Sequence, residues 1–143
     1  MKKLFLALIF TFTFVIPALA DGPWIDDDSL DAALSDIANN GDYLFVGTDG
    51  TWANRLGSVA TTPGDGNGDY TIGNGAIEGR SLSIAAQTIT ATGTGTADTW
   101  GIYDNDNAEV KAYGNLSASV SMVSGNVYDF GTLTDAININ DPD

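Results

Sequence analysis

The stretch from Gly79 to Asp104 decides the fold, and it reads GRSLSIAAQTITATGTGTADTWGIYD. Nearly all of its residues are β-branched, small or aromatic, and its apolar residues alternate with polar ones as in half-buried strands. Leu82 and Ile84 have one parity of this alternation, whereas Ile89 has the other. Because a slip of one residue exchanges the two faces of a strand, we predict a bulge or tight bend at Ala86–Thr88. The stretch then contains three strands in the middle of a sheet sandwich.

An amphipathic segment and an apolar run precede this stretch. The helix predicted at Ser29–Asn39 carries apolar residues at i, i+3, i+4 and i+7, namely Leu30, Ala33, Leu34 and Ile37. The continuous apolar run Tyr43–Val46 follows and is typical of a central strand buried on both faces. We expect the apolar stripe of the helix to pack beside Leu44 and Val46.

Shorter alternating segments complete the predicted fold. The segment Thr48–Gly68 has no clear periodicity and is predicted to be a loop. Turns are predicted at Gly73–Gly75 and Ser124–Asn126, and a hairpin at Asp104–Asn107. Further strands are predicted at Tyr70–Ile72, Glu109–Tyr113, Leu116–Met122, Val127–Phe130 and Leu133–Ile139. The fold class is therefore mainly β: a single antiparallel β-sandwich or jelly-roll-like domain with one N-terminal amphipathic helix.

The first twenty residues have the form of an export signal. Met1–Lys3 is a short basic region, Leu4–Ile16 is apolar apart from threonine, and Pro17–Ala20 contains the A-x-A pattern that signal peptidase recognises. The apolar run is shorter than the roughly 20 residues that a spanning helix needs. We expect a cleaved signal peptide at residues 1–20, one domain at residues 21–143, and a periplasmic or extracellular protein.

Charge and composition restrict the partners and the chemistry. Removing Lys2 and Lys3 with the signal changes the formal net charge from −14 to −16. Such a surface repels phosphate backbones and anionic lipid, so we expect neither nucleic acid nor membrane binding by the mature form. The chain has neither Cys nor His. It therefore contains no disulfide and no serine or cysteine triad that uses histidine.

One acidic loop has part of the spacing of a calcium site. Asp65, Asn67 and Asp69 offer oxygen atoms at i, i+2 and i+4, as the first ligands of a calcium loop do. Tyr70 stands where such a loop needs glycine, and Glu78 comes two residues late for the bidentate ligand. The alternative interpretation is an ordinary Asp/Gly-rich turn, with no cofactor at all.

Two aromatic residues in the irregular part of the chain suggest a binding surface. Trp52 and Tyr70 could line a cleft for a sugar, with Glu78 as an acid. A glycosidase needs one carboxyl group with a raised pKa, and no pattern selects Glu78 over the other acids. We therefore expect a protein that is not an enzyme.

The order of the segments resembles small virion structural proteins of tailed bacteriophages, from about Leu30 to the C-terminus. The segments that carry this resemblance are Leu30-Asp31-Ala32-Ala33-Leu34, Gly79-Arg80, Ile84-Ala85-Ala86, Thr92-Gly93-Thr94-Gly95-Thr96-Ala97, Trp100-Gly101-Ile102-Tyr103-Asp104, Leu116-Ser117-Ala118-Ser119 and Ser124-Gly125-Asn126. The resemblance implies a structural role and supplies no catalytic residue. An export signal departs from the pattern, because virions assemble in the cytoplasm. Either the resemblance concerns the fold alone, or the protein is an exported bacterial relative.

Two functions remain open on the sequence. The first is a non-enzymatic structural protein, similar to a virion decoration or tail component, whose partners are copies of itself and capsid or tail proteins. The second is an exported binding module of the adhesin or carbohydrate-binding type, with a glycan as its ligand.

Overall fold

The computed structural model describes residues 27–75 and 79–140, which form a β-sandwich-like domain with one α-helix. The predicted signal peptide, residues 21–26 and Glu78 lie outside these residues. A 3₁₀ turn occupies Trp52–Asn54. The helix and strands are α1 Asp27–Asn40, β1 Tyr43–Gly47, β2 Arg55–Ala60, β3 Tyr70–Asn74, β4 Arg80–Ile84, β5 Gln87–Thr90, β6 Gly95–Asp104, β7 Glu109–Met122, β8 Val127–Phe130 and β9 Leu133–Ile139.

Every strand pair is antiparallel, and the strands form three sheets in the described part of the chain. One sheet has the order β2-β1-β6-β7, the second β3-β4-β9 and the third β5-β8. The third sheet continues the second, because β4 leads into β5 and β8 leads into β9. The breaks at Ala85–Ala86 and Gly131–Thr132 separate the two sheets.

The stretch Gly79–Asp104 connects all three sheets, since it supplies β4, β5 and β6. The predicted change of parity is confirmed: Ile84 on β4 and Ile89 on β5 are both fully buried, on either side of the break. In β6, the third strand of this stretch, burial does not alternate as expected. All six residues 99–104 of β6 are buried, because β6 lies between β1 and β7 and both of its faces are covered.

The helix begins two residues before the predicted start and ends one residue after the predicted end. Its buried side chains are Leu30, Leu34 and Ala38, spaced by four residues, whereas Ala33 is exposed. The predicted stripe was therefore rotated slightly towards solvent. Leu34 shares the core with Leu44 and Val46, as expected.

Most of the helix contacts are with β3 and β4 rather than with β1. A bidentate ion pair fixes this position: the Arg80 guanidinium donates to both carboxylate oxygens of Asp31, at 2.5 and 2.8 Å. This pair joins the first half of α1 to the start of β4. The sequence pattern alone predicted only that the helix packs on β1, the buried strand that follows it.

Three predicted boundaries are wrong. The segment Thr48–Gly68 is not a continuous loop, because β2 lies within it and pairs with β1. The strand β3 continues through Gly73 and Asn74, which the sequence assigned to a turn. Finally, β7 is one strand of fourteen residues where two were predicted. No helix in residues 27–75 and 79–140 is long and apolar enough to cross a membrane.

Candidate functional site

An apolar groove lies between β7 and the connection from β8 to β9. Its volume is about 360 Å³, within the usual range for ligand sites. The lining residues are Leu116, Ser117, Ala118, Val120, Tyr128, Asp129, Phe130, Gly131, Thr132 and Leu133. We name this feature the β7–β8 groove.

The sheet topology explains why the groove opens on this side of the sandwich. On the other side, β2 approaches β5: Gly57 forms an antiparallel bridge with Ala91, and the Thr92 N–H donates to the Leu56 carbonyl at 2.8 Å. These bonds connect the sheets there. By contrast, β7 and β8 are each terminal strands of their sheets in the described residues. The two free strand edges therefore border the groove.

An irregular pairing in β7 shapes one wall of the groove. Thr99 of β6 pairs with Asn115, but Ala97, only two residues earlier, pairs with Val120. Four residues of β7, residues 116–119, thus lie opposite the single residue Asp98. The Ser119 hydroxyl donates to the Asp98 carboxylate and fixes this wide bulge. Bulges of this kind redirect side chains at a sheet edge.

The walls are mainly apolar, and two of their polar side chains, Tyr128 and Asp129, form hydrogen bonds within the protein. Leu116, Val120, Phe130 and Leu133 are partly buried and pack on the core. The Tyr128 hydroxyl accepts a hydrogen bond from the Val123 N–H at 2.8 Å. The Asp129 carboxylate accepts one from the Thr88 hydroxyl, also at 2.8 Å. The site can therefore bind apolar side chains or a ring face, and its backbone edges can bind an extended chain.

Exposed valines lie beside the β7–β8 groove. Val123 and Val127 are 51% and 61% exposed, and they flank the turn that joins β7 to β8. Three large apolar residues are exposed in the described part of the chain, and these valines are two of them. The third, Tyr113, lies elsewhere on β7. Exposed apolar residues next to an apolar groove are typical of an interaction surface.

Trp52 makes its contacts within the protein. Its ring stacks on Tyr103 with a centroid distance of 4.0 Å and an interplanar angle of 3°, and it meets Phe45 edge-on at 5.5 Å. The Arg55 guanidinium lies 3.9 Å from the ring centroid, in the geometry of a cation–π pair. Trp52 is half-buried and covers the face of the β1–β6 pair that lies away from the main core.

Tyr70 was wrongly assigned to a binding surface, because it is fully buried in the core. Its neighbours in the core include Leu44 and Val46, whereas Tyr43 and Phe45 contact Trp52. Alternate residues of β1 point to opposite faces of the sheet. Trp52 and Tyr70 therefore lie on opposite faces and cannot line one cleft.

The Tyr70 hydroxyl closes a polar network in the core. It donates to the Gly41 carbonyl at 3.1 Å and lies 3.1 Å from the Thr61 hydroxyl, which donates to the same carbonyl at 2.6 Å. Burial raises the pKa of Tyr70 to about 12; the hydrogen bond with Thr61 opposes this shift and the charges of Asp69 and Asp42 support it. The residue holds the chain around Gly41 in place.

The side chains of the acidic loop at residues 65–69 form hydrogen bonds with neighbouring segments of the chain. Asp65 accepts from the Ile72 N–H at 2.8 Å, and Asp69 accepts from the Thr62 N–H and from the Gln87 amide, both at 2.6 Å. The Asn67 amide donates to the Pro63 carbonyl at 3.1 Å. These bonds connect the loop to the segment before it, to β3 and to β5.

Three glycines of this loop, Gly64, Gly66 and Gly68, have positive φ angles, which they adopt without steric cost. Within residues 27–75 and 79–140, no group of three or more acidic, His or Cys residues is arranged to hold a metal ion. The three predicted ligands thus lie in one loop, but their polar atoms serve separate partners.

All three basic residues of the described chain have partners. Arg55 lies on Trp52, and Arg80 binds Asp31. Lys111 lies 2.6 Å from Glu109 and 3.4 Å from both Asp36 and Asp104. The Glu109 hydrogen bond is the main cause that raises the pKa of Lys111. Arg80 and Lys111 therefore each neutralise acids of the same chain, and most of the remaining acids have no basic partner in the described residues.

Asp104 is a buried acid at the end of β6. The Asn107 side chain and N–H donate to its two oxygens at 2.8 and 3.0 Å. These hydrogen bonds, with the nearby Lys111, hold the pKa of Asp104 below its usual range. The group closes the β6–β7 hairpin and stands outside the β7–β8 groove.

Comparisons with protein-family models, with curated proteins and with solved structures found no match to this chain. The sequence analysis did not select the groove residues as a site, although it placed Leu116, Val120 and Phe130 on strands. Their apolar alternation is the same signal that a core strand gives.

Proposed function

We propose that the protein is a non-enzymatic structural protein that works through contacts between subunits, similar to a phage virion decoration or tail component. The observation that supports this best is the β7–β8 groove with its adjacent exposed valines. Its partners are further copies of the chain and, if the resemblance extends to function, capsid or tail proteins. We further propose, from the predicted export signal, that the working protein lies outside the cytoplasm.

The physical argument is that a stable subunit contact needs an apolar centre that water can leave. The acidic remainder of the described surface opposes contacts between identical subunits, because like charges repel. The β7–β8 groove combines apolar side chains with free backbone edges. An edge strand is a ready template for pairing with another chain.

The experiment is to measure the mass of the mature protein in solution over a wide concentration range. Analytical ultracentrifugation should show association that increases with concentration. Ala118→Arg places a long charged side chain in the groove at an exposed position and should abolish association. Ala60→Arg is the matched control, because Ala60 is an exposed alanine on the other edge strand of the same sheet. A protein that stays monomeric throughout and binds no capsid or tail partner would overturn the proposal.

The second candidate is an exported binding module that takes a glycan in the same groove. The aromatic rings of Tyr128 and Phe130 line it beside Ser117 and Thr132, and sugar rings stack on aromatic faces while their hydroxyls bind polar groups. Glycan-array binding that Phe130→Ala removes and Trp52→Ala leaves unchanged would favour this function. An empty array for the wild-type protein would leave the structural function.

A further inference from the structure

We propose that the β7–β8 groove binds residues 21–26 of a second copy of this chain, the segment Asp-Gly-Pro-Trp-Ile-Asp, as an added strand. The inference rests on the proposed function and specifies the contact. One subunit donates this six-residue segment, which we call the leader, and the next subunit binds it in its β7–β8 groove. Trp24 is the side chain that enters the groove, and Ile25, the next residue of the added strand, points to the opposite face.

The groove runs along strand edges rather than across a sheet face. Successive residues of a strand point to opposite faces, so a site on one face is lined by every second residue. Here the unbroken run Tyr128–Leu133 lines one wall, and the nearly unbroken run Leu116–Val120 lines the other. A peptide in the groove therefore meets the free backbone of β7 on one side and of the β8–β9 connection on the other.

The directions of the strands define how such a peptide would pair. From β7 the neighbours run through β6, β1 and β2, across the Gly57–Ala91 bridge to β5, and on to β8. Each of these five steps is antiparallel. As a result, β7 and β8 run in opposite directions. A strand inserted between them is antiparallel to one and parallel to the other, and it joins the two free edges.

The leader matches this groove in length and in chemistry. Six residues, 21–26, separate the predicted cleavage site from the start of α1. Six residues, Tyr128–Leu133, form the longer wall, and both span about 20 Å when extended. Trp24 and Ile25 are adjacent large apolar residues between acidic ones, and such side chains gain most from an apolar site.

The proposed function decides which copy donates the leader. A contact between subunits requires that the leader of one copy enters the groove of the next, whereas a leader that filled its own groove would leave a monomer. The mass of the mature protein therefore distinguishes the two arrangements.

This contact is heterologous, since the donating and accepting surfaces differ. An open assembly of this kind has one free groove at one end and one free leader at the other. Such contacts give rings when the rotation closes and open filaments when it does not.

A complementation experiment tests the proposal with the mature protein, after mass spectrometry has verified cleavage after Ala20. The donor-deficient variant carries Trp24→Ser and Ile25→Ser, and Gly22→Ser is its matched control. The acceptor-deficient variant is Ala118→Arg, with Ala60→Arg as its control. Each deficient variant alone should associate at least about 30-fold more weakly than the wild type, the loss expected for an interface hot spot. Both controls should associate like the wild type.

The decisive measurement is the mass of an equimolar mixture of the two deficient variants. One free leader and one free groove remain usable, so the mixture should form a dimer and no larger species. Normal association of the donor-deficient variant, with loss in Ala118→Arg, would overturn the leader as occupant and leave the subunit contact standing. Normal association of both variants, or a wild-type protein that never associates, would overturn the groove contact itself.

Discussion

Replacing Tyr70 by phenylalanine tests the polar centre of the core. The tyrosine is fully buried, and its hydroxyl donates to the Gly41 carbonyl at 3.1 Å. Thr61 donates to the same carbonyl at 2.6 Å, so Gly41 keeps a hydrogen bond in the variant. The loss at neutral pH is therefore that of one ordinary hydrogen bond, about 0.5–1.5 kcal/mol.

The same substitution changes the response to alkali. Burial raises the pKa of Tyr70 from 10.0 to about 12. Below pH 10 both the folded and the unfolded chain hold this proton, and the stabilisation is fully present. Above about pH 10 the unfolded chain releases the proton first. The free energy of unfolding then falls by about 1.4 kcal/mol per pH unit until about pH 12.

The phenylalanine variant has no such proton, so the two free energies of unfolding should become equal near about pH 11. Chemical denaturation of both proteins from about pH 8 to pH 12 measures this, because the other titrating groups cancel in the difference. Tyr113→Phe is the matched control: Tyr113 is 66% exposed and its variant should run parallel to the wild type. A wild-type advantage over Tyr70→Phe that stays constant across this range would refute the reasoning.

The other predictions concern the helix, the acid response, calcium and salt. Leu34→Ala should lower the free energy of unfolding by about 2–5 kcal/mol, because Leu34 is fully buried. The control Val127→Ala, at an exposed position, should change it by less than about 0.5 kcal/mol. Equal effects would mean that the apolar stripe of α1 faces solvent. The advantage of the wild type over Asp104→Asn should hold above about pH 4 and decline as the pH falls below it, since the pKa of Asp104 is lowered; a decline that starts near pH 7 would contradict this. Thermal midpoints in millimolar calcium and in chelator should agree at matched ionic strength, because the side chains at 65–69 already bind backbone and amide groups. Association of the mature protein should strengthen from low to high salt as repulsion is screened, whereas an interface built on ion pairs would weaken.

Patterns that depend on local periodicity predicted the fold well. The break between Ile84 and Ile89 and the hairpin after Asp104 follow from side-chain alternation and turn residues, and both are present. The helix follows from its apolar spacing. The strand β2 was missed because its sequence, RLGSVA, has only Leu56 and Val59 as large apolar residues. Its position is decided by backbone pairing with β1, which a local pattern does not encode.

Tertiary context also explains why the prediction of a binding surface at Trp52 and Tyr70 was wrong. An aromatic residue in a segment without clear periodicity is equally compatible with a ligand platform and with a core position. Tyr70 took the core position because β3 pairs with β4 and turns the ring inward beneath Gly41. Trp52 took a second internal position, because the small residue Gly101 leaves room for Phe45 on the sheet face that Trp52 covers.

The β7–β8 groove illustrates why a surface of this kind escapes sequence analysis. Leu116, Val120 and Met122 alternate with serines as a core strand does, yet only Met122 is fully buried. Leu116 and Val120 pack partly on the core and also border the groove, because no strand of the described residues pairs with the free edge of β7. Apolar residues at a subunit contact are chosen by the same hydrophobic effect as those of a core. Under the proposal that a second subunit covers the groove, the two differ only in whether the covering chain belongs to the same molecule, and that information lies in the topology of the sheets rather than in the pattern of the strand.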